Sequence, residues 1–279
     1  EMGVRFEGTS NYVATDDLKV AVNAAVTLRR PLLVKGEPGT GKTVLAHEIA
    51  AATGAPLIQW HIKSTTKAQQ GLYEYDAVAR LRDGQLGDER VHDIRNYIKK
   101  GKLWEAFTSP QLPVLLIDEV DRADEEFEAF LLEVLSEFQV TIPELGTIRA
   151  TSIPHVVLTS NGTRELSDAL RRRCLYHYVD YPDVDREARI ISARIAAAGA
   201  SLSLSIARMV ESIRKEDLRK VPGIAETLDW AAALTGLGVQ TLGESPELVH
   251  ETLMCLLKTR EDKARVTPEV TVRLLGRAG

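Results

Sequence analysis

The sequence predicts an α/β protein: a parallel sheet with helices on both faces, followed by a small all-helical domain. Three observations carry this. Short apolar runs alternate with longer helical patterns through the first two-thirds of the chain. Several of those runs hold almost no polar residue, as parallel strands covered on both faces do. After Tyr181-Pro182 every pattern is helical.

In chain order, a helix is expected over 17–29, a strand over 31–35 (PLLVK) and a helix over 42–53, with Gly54 as its C-terminal stop. Strands follow at 57–61 (LIQWH), 114–118 (VLLID), 155–159 (HVVLT) and 175–179 (LYHYV). Helices over 92–106, 124–138 and 164–172 fall between them. Residues 63–91 are polar, punctuated by Gly71, Gly84 and Gly87, and longer than a connection needs, which marks a functional or mobile insertion. Residues 139–154 read as a β-hairpin turning at Pro143-Glu144-Leu145-Gly146, with Val140, Ile142, Ile148 and Ala150 on one packed face. Pro182 ends a strand, and Asp183 or Asp185 is placed to cap the next helix. Helices are expected over 183–197, 203–216, 223–236, 246–259 and 267–276, and Leu204, Ala207, Val210 and Ile213 keep one face apolar. The expected domains are therefore 1–182 and 183–279.

Composition narrows the function. Of 279 residues, 44% are hydrophobic and 27% charged, a globular balance that argues against disorder or a fibrous repeat. Lys and Arg number 35 against 40 Asp and Glu, and a net charge of −5 does not advertise nucleic-acid binding. Cys174 and Cys255 are the only cysteines, which argues against a disulfide framework or structural zinc. The longest apolar runs, such as Val114-Leu115-Leu116-Ile117, fall far short of the ~18 residues of a membrane span. The opening EMGVRFEGTS has no apolar core like that of a secretory signal, and Glu1 in place of Met suggests a trimmed chain. The expectation is a soluble, cytoplasmic protein.

Gly36-Glu37-Pro38-Gly39-Thr40-Gly41-Lys42-Thr43 matches G-x-x-x-x-G-K-[ST] in full, between an expected strand and an expected alanine-rich helix that continues through Val44. Glycines let the backbone curl so that its N–H groups face a phosphate, and the helix N-terminus adds partial positive charge. Lys42 can reach the β- and γ-phosphates of ATP, and the Thr43 hydroxyl can coordinate Mg²⁺. Asp118 ends the apolar run Leu115-Leu116-Ile117, where an acid can hold Mg²⁺ directly or through water. Glu119 follows it, placed to polarise an attacking water, and so favours hydrolysis over phosphate transfer to a small molecule. Asn161, after Thr159-Ser160, is either a turn former or a group near the γ-phosphate and the water. Arg171-Arg172-Arg173 is either a solvated helix end or a source of an arginine for a neighbouring subunit's nucleotide.

In this order, and followed by a helical lid, these pieces resemble the AAA+ ATPases, and within them the MoxR family. The resemblance makes residues 36–43 the Walker A motif, Asp118-Glu119 Walker B and Asn161 sensor 1. Arg173 best matches the arginine finger, with Arg171 or Arg172 in reserve. Residues 63–91 match the helix-2 insert and 139–154 the hairpin before sensor 1. Tyr73-Glu74-Tyr75-Asp76, Gly101-Lys102-Leu103-Trp104-Glu105-Ala106 and Leu170 to Cys174 are similar to the branch associated with carbon monoxide dehydrogenase maturation. Tyr12 and Val13 lie where this family cups the adenine; as a plainer reading they are a hydrophobic staple for the first helix. One departure is visible: where the family places a sensor-2 Arg, this chain reads Lys220-Val221-Pro222-Gly223-Ile224-Ala225-Glu226-Thr227, with Arg219 or Lys220 as the nearest substitutes. The resemblance further implies a homo-oligomeric ring, commonly a hexamer, with ATP or ADP between subunits. It also implies a partner bearing a von Willebrand factor A domain and a protein client to be matured or remodelled, often a metalloenzyme.

Other residues carry quieter expectations. Trp60 reads as a core aromatic, His61 as a strand-end histidine, and both cysteines as buried small hydrophobes. Asp121, Asp124, Glu125, Glu126 and Glu128 read mostly as a solvated face, from which Arg122 can project towards a neighbour. His47 and His155 show no metal pattern. Two rival functions stand beside the ATPase. A nucleic-acid motor is disfavoured by the charge and by a hairpin whose only basic residue is Arg149. A slow nucleotide-gated switch is motivated by the missing sensor-2 Arg.

Overall fold

The computed structural model describes Phe6, residues 15–142 and residues 145–279. The helices and strands, in chain order, are α1 (Asp16–Leu28), β1 (Leu32–Gly36), α2 (Lys42–Thr53), β2 (Leu57–His61), β3 (Tyr73–Tyr75), α3 (Ala77–Gln85), β4 (Ile98–Lys100), α4 (Lys102–Phe107), β5 (Val114–Asp118) and α5 (Glu125–Glu137). Then come β6 (Gln139–Ile142), β7 (Gly146–Arg149), β8 (His155–Ser160), α6 (Asp168–Arg173) and β9 (Leu175–Val179). The last stretch holds α7 (Val184–Arg194), α8 (Ala200–Arg214), α9 (Ile224–Gly236), α10 (Pro246–Thr252), α11 (Arg260–Arg265) and α12 (Pro268–Ala278), with no strand.

Five strands form one parallel sheet in the order β2-β5-β8-β1-β9, with helices on both faces. The central strand β5 is buried at every residue, which is why it reads as an unbroken apolar run. The neighbour of β1 on one side is β8 and on the other β9, so the strand order turns at β1, the place where open α/β sheets put their ligands. Helix ends follow local chemistry. Gly54 adopts φ +65° and the Ala55 N–H closes onto the Ala50 carbonyl at 3.0 Å, the C-terminal stop expected there. Asp183, not Asp185, caps α7 by accepting from the Arg186 N–H at 2.8 Å.

Two compact units emerge among the described residues. The larger comprises Asp16–Lys35 and Thr43–Tyr178; the smaller comprises Gly36–Lys42 and Val179–Gly279. This division groups the phosphate-loop stretch with the C-terminal helices. Each unit has its own core: Leu115, Ile117, Phe107, Phe127 and Leu131 are central in the first, and Trp230, Ile206, Val210, Ile213 and Leu234 in the second.

Two expectations need correction. Residues 92–106 are not one helix: a 3-10 turn at Ile94–Tyr97 leads into β4, which pairs antiparallel with β3, and only then α4 begins. Gly101 breaks the pattern because a Cβ there would lie 2.4 Å from the Gly71 carbonyl oxygen. The insertion 63–91 holds β3 and α3. Helix α6 starts at Asp168, capped by Ser167, because Arg164 turns inward to pair with Glu128. The hairpin forms as expected, pairing Gln139 with Arg149 and Val140 with Ile148.

Candidate active site

In the larger unit, functional groups gather at the carboxyl ends of β5 and β8. Asp118 is 5% exposed and accepts from the Thr43 hydroxyl at 3.1 and 3.2 Å on its two oxygens. The Thr159 hydroxyl donates to the same carboxylate and accepts the Glu119 N–H at 2.8 Å, so one hydroxyl ties both acids to β8. His61 was missed by sequence reasoning as a neighbour of this carboxylate. It lies directly opposite Asp118 in the β2–β5 register, with Nδ1 3.3 Å from the carboxylate. The signal was the equal length of two adjacent strands, which only the register converts into a contact.

Glu119 leaves the strand in the left-handed region, φ +61° and ψ +50°, which few non-glycine residues adopt and which turns its side chain away from Asp118's row. Its Oε1 accepts from Asn161 Nδ2 at 3.4 Å and its Oε2 pairs with Arg122 Nε at 2.9 Å. Asn161 thus contacts Glu119, and Arg122 folds back on its own chain's glutamate.

The acidic run is not a solvated face throughout. Asp121 is 4% and Glu128 2% exposed. Asp121 accepts from the Asn161 N–H at 3.3 Å, the Thr163 N–H at 3.0 Å and the Thr163 hydroxyl at 2.6 Å. Burial pushes its carboxyl up, but the hydrogen bonds from Thr163 and Asn161 outweigh burial and hold it below the ordinary carboxylate value. Glu128 pairs with Arg164 and accepts the Ser167 N–H at 2.9 Å. These two acids therefore fix the backbone that carries Asn161 and the start of α6. On α6, Arg171 pairs with Asp168, while Arg172 and Arg173 are exposed and their side chains make no ion pair among the described residues. Arg30 holds this end by donating to the Arg172 and Arg173 carbonyls at 2.6 and 3.3 Å.

In the smaller unit, the loop 36–42 has the shape that its glycines permit. Gly39 and Gly41 adopt φ +80° and +87°, and a Cβ on Gly36 would come 2.3 Å from the Val179 carbonyl oxygen. Lys42 Nζ donates to the Gly36 and Glu37 carbonyls at 2.9 and 2.7 Å, and the Thr40 hydroxyl closes on the Glu37 carbonyl at 2.8 Å. Of the substitutes considered for sensor 2, both are tied down through the backbone and Arg219 through its side chain as well. The Arg219 and Lys220 N–H groups bind the Asp262 carboxylate at 2.7 and 2.9 Å, and the Arg219 guanidinium pairs with Glu261 at 3.4 Å. Tyr12 and Val13 lie outside the described residues.

The donor set suits Mg²⁺. Thr43 and Asp118 offer a hydroxyl and a carboxylate in mutual contact, the sparse hard-oxygen set that Mg²⁺ uses when phosphate and water complete its shell. Among the described residues no cluster of three or more His, Cys, Asp or Glu forms a metal cage.

A glycine loop on the strand at the turning point of a parallel sheet, running into a helix whose Thr43 meets a strand-end acid, defines a P-loop nucleotide-binding protein. The family described as "ATPase family associated with various cellular activities (AAA)" matches residues 32–179, a little over half of the chain. The chain belongs to this AAA family. Among curated proteins it is similar to the gas vesicle ATPase GvpN of Ancylobacter aquaticus, 29% identical over 248 residues, covering 79% of this chain and 65% of that protein. The chain thus spans just under two-thirds of that relative. It is also 28% identical over 244 residues to an uncharacterized protein of Staphylococcus aureus strain USA300, covering 85% and 84% of the two chains. Among solved structures, a mutant of RuvB from Thermotoga maritima matches with TM-score 0.55 and 19% identity, over 90% of this chain and 72% of that one. At that identity the likeness speaks to the fold. No helix among the described residues is long and apolar enough to cross a membrane.

Proposed function

We propose that the chain is a Mg²⁺-dependent AAA+ ATPase of the MoxR group that works as a cytoplasmic ring, commonly a hexamer, and remodels or matures a protein client. One observation carries the catalytic part: the Thr43 hydroxyl rests on the Asp118 carboxylate while the next residue, Glu119, is held by Asn161. In this reading residues 36–44 bind ATP or ADP, with Lys42 on the phosphates. Thr43 and Asp118 hold Mg²⁺, which when bound would offset the phosphate charge. Glu119 accepts the proton of the attacking water, and Asn161 orients that water. Arg173, exposed on α6, serves a neighbouring subunit's nucleotide, with Arg171 and Arg172 in reserve. Residues 183–279 form the lid. Tyr12 and Val13 flank the adenine.

The biological role rests on the resemblance. The phrases at Tyr73-Glu74-Tyr75-Asp76 and Gly101 to Ala106 support a client such as a carbon-monoxide-dehydrogenase-like metalloenzyme, and a partner with a von Willebrand factor A domain. The similarity to a gas vesicle ATPase supports the ATPase reading. A second reading, a nucleotide-gated switch of slow turnover, draws on Arg219, which is paired with Glu261 rather than free.

Calorimetric titration with ADP and Mg²⁺ tests the site. Wild type is expected to bind, Lys42→Ala to lose binding, and Asp118→Asn to bind with little dependence on Mg²⁺. Wild-type protein that binds neither ADP nor ATP would overturn the proposal. Turnover that stays slow after assembly would favour the switch.

A further inference from the structure

The start of α9 meets the phosphate loop backbone to backbone. The Ile224 N–H donates to the Gly39 carbonyl at 2.7 Å. A Cβ on Gly223 would stand 2.6 Å from the Gly39 Cα and carbonyl oxygen, and one on Gly39 would stand 2.8 Å from the Gly223 Cα. Real Cβ atoms do not approach main chain so closely, and main chain has no flexible end to move aside. Gly223 itself is extended (φ −98°, ψ −171°), a conformation open to any residue, so space alone demands glycine there.

The turn bearing Gly223 is anchored from behind. Arg214 Nε donates to the Pro222 carbonyl at 2.9 Å, and its terminal nitrogens bind the buried Glu187 carboxylate at 2.7 and 2.9 Å. The same guanidinium lies 4.7 Å from the Tyr181 ring centroid, and the Tyr181 hydroxyl donates to the Pro38 carbonyl at 3.5 Å. Glu226 closes the turn by accepting the Gly223 N–H at 3.1 Å. Two neighbouring carbonyls of the phosphate loop, those of Pro38 and Gly39, are therefore held by the helical stretch.

We propose that Gly223 and the Ile224 amide are positioning groups for nucleotide binding, holding residues 38–39 so that the loop keeps its phosphate-accepting shape. This rests on the reading of 36–43 as the nucleotide site. The clamp grips the loop and touches no phosphate. Its loss therefore weakens ATP and ADP alike, whereas an arginine aimed at the γ-phosphate would, if lost, weaken ATP alone.

The test is titration of a fluorescent ADP and its ATP counterpart into wild type, Gly223→Ala, Ile224→Pro and Lys42→Ala, with thermal unfolding of each without nucleotide. Ile224 is the first residue of α9, where proline fits a helix; it removes the N–H that reaches Gly39 and sets its ring carbon against the Gly39 carbonyl in place of the hydrogen. Gly223→Ala is expected to weaken both nucleotides by about tenfold or more, as overpacking against rigid main chain does. Ile224→Pro is expected to weaken both by about tenfold or more, since it loses the hydrogen bond and also crowds the Gly39 carbonyl. In both, the ratio of ATP to ADP affinity stays as in wild type. Wild-type affinity in Ile224→Pro, or a loss confined to ATP, overturns the clamp while Lys42→Ala still tests the site. If wild type binds no nucleotide, the reading of the site falls, and the clamp with it.

Discussion

Replacing Asp121 by alanine is expected to unfasten the residue proposed to orient water without touching the nucleotide. Asp121 accepts three hydrogen bonds from Asn161 and Thr163, two of them at 3.0 Å or shorter. A hydrogen bond to a charged group contributes roughly 1.5–3 kcal/mol, and a donor stranded in the interior costs a comparable amount. Thr163 is exposed, so water can satisfy its donors after the substitution. The 3.3 Å bond from the half-buried Asn161 amide adds less. The expected loss is therefore about 2–4 kcal/mol, a drop of roughly 1 M in urea midpoint for a unit of this size. Fluorescence of the buried Trp60 and Trp104 reports that unfolding. The sign with pH follows from the lowered carboxyl. Asp121 stabilises the fold above the ordinary carboxylate value near ~3.9, and the contribution fades as pH falls through its lower folded value, so variant and wild type converge in acid. ATP turnover should fall while nucleotide affinity holds. An unchanged midpoint, or a loss of affinity with turnover intact, would refute the reasoning.

Other predictions follow from the same contacts. Arg122→Ala frees Glu119 from an ion pair that is partly exposed, worth about 0.2–1 kcal/mol, so turnover should rise roughly 1.5- to 5-fold; a decrease in steady-state assays would show that Arg122 is needed. Burial, and then the nearby Arg29 charge, lower the His155 pKa, so its contribution is full above the ordinary value near ~6.5 and lost as pH falls below it. His155→Gln should flatten the stability profile in that acid window, as thermal melts across pH would show. Burial pushes the Cys174 thiol up to about 12, so a thiol reagent at neutral pH should label Cys255 first and Cys174 only on unfolding. Equal labelling rates in the native protein would contradict that environment.

Much of the fold was legible because its signals are local. Local apolar patterns marked all five strands of the main sheet, four of them with a proline at or just before the start, and Gly54 and Asp183 marked helix ends by chemistry within a single turn. The phosphate loop was legible as a motif in its strand–helix setting. What escaped depends on partners far along the chain. β4 looked helical because its pairing with β3 crosses more than twenty residues. Asp121 and Glu128 looked solvated because their donors, Thr163 and Arg164, lie on another strand's exit. His61 meets Asp118 only through strand register, and the need for Gly223 comes from a main chain more than 180 residues away.

The most direct test of a shared, subunit-spanning ATPase is turnover per subunit against protein concentration, for wild type, Glu119→Gln, Arg173→Ala and an equal mixture of the two variants. Turnover that rises with concentration, is lost in each variant while ATP still binds, and partly returns in the mixture is the expected result. Turnover independent of concentration, with Arg173→Ala as active as wild type, would contradict it.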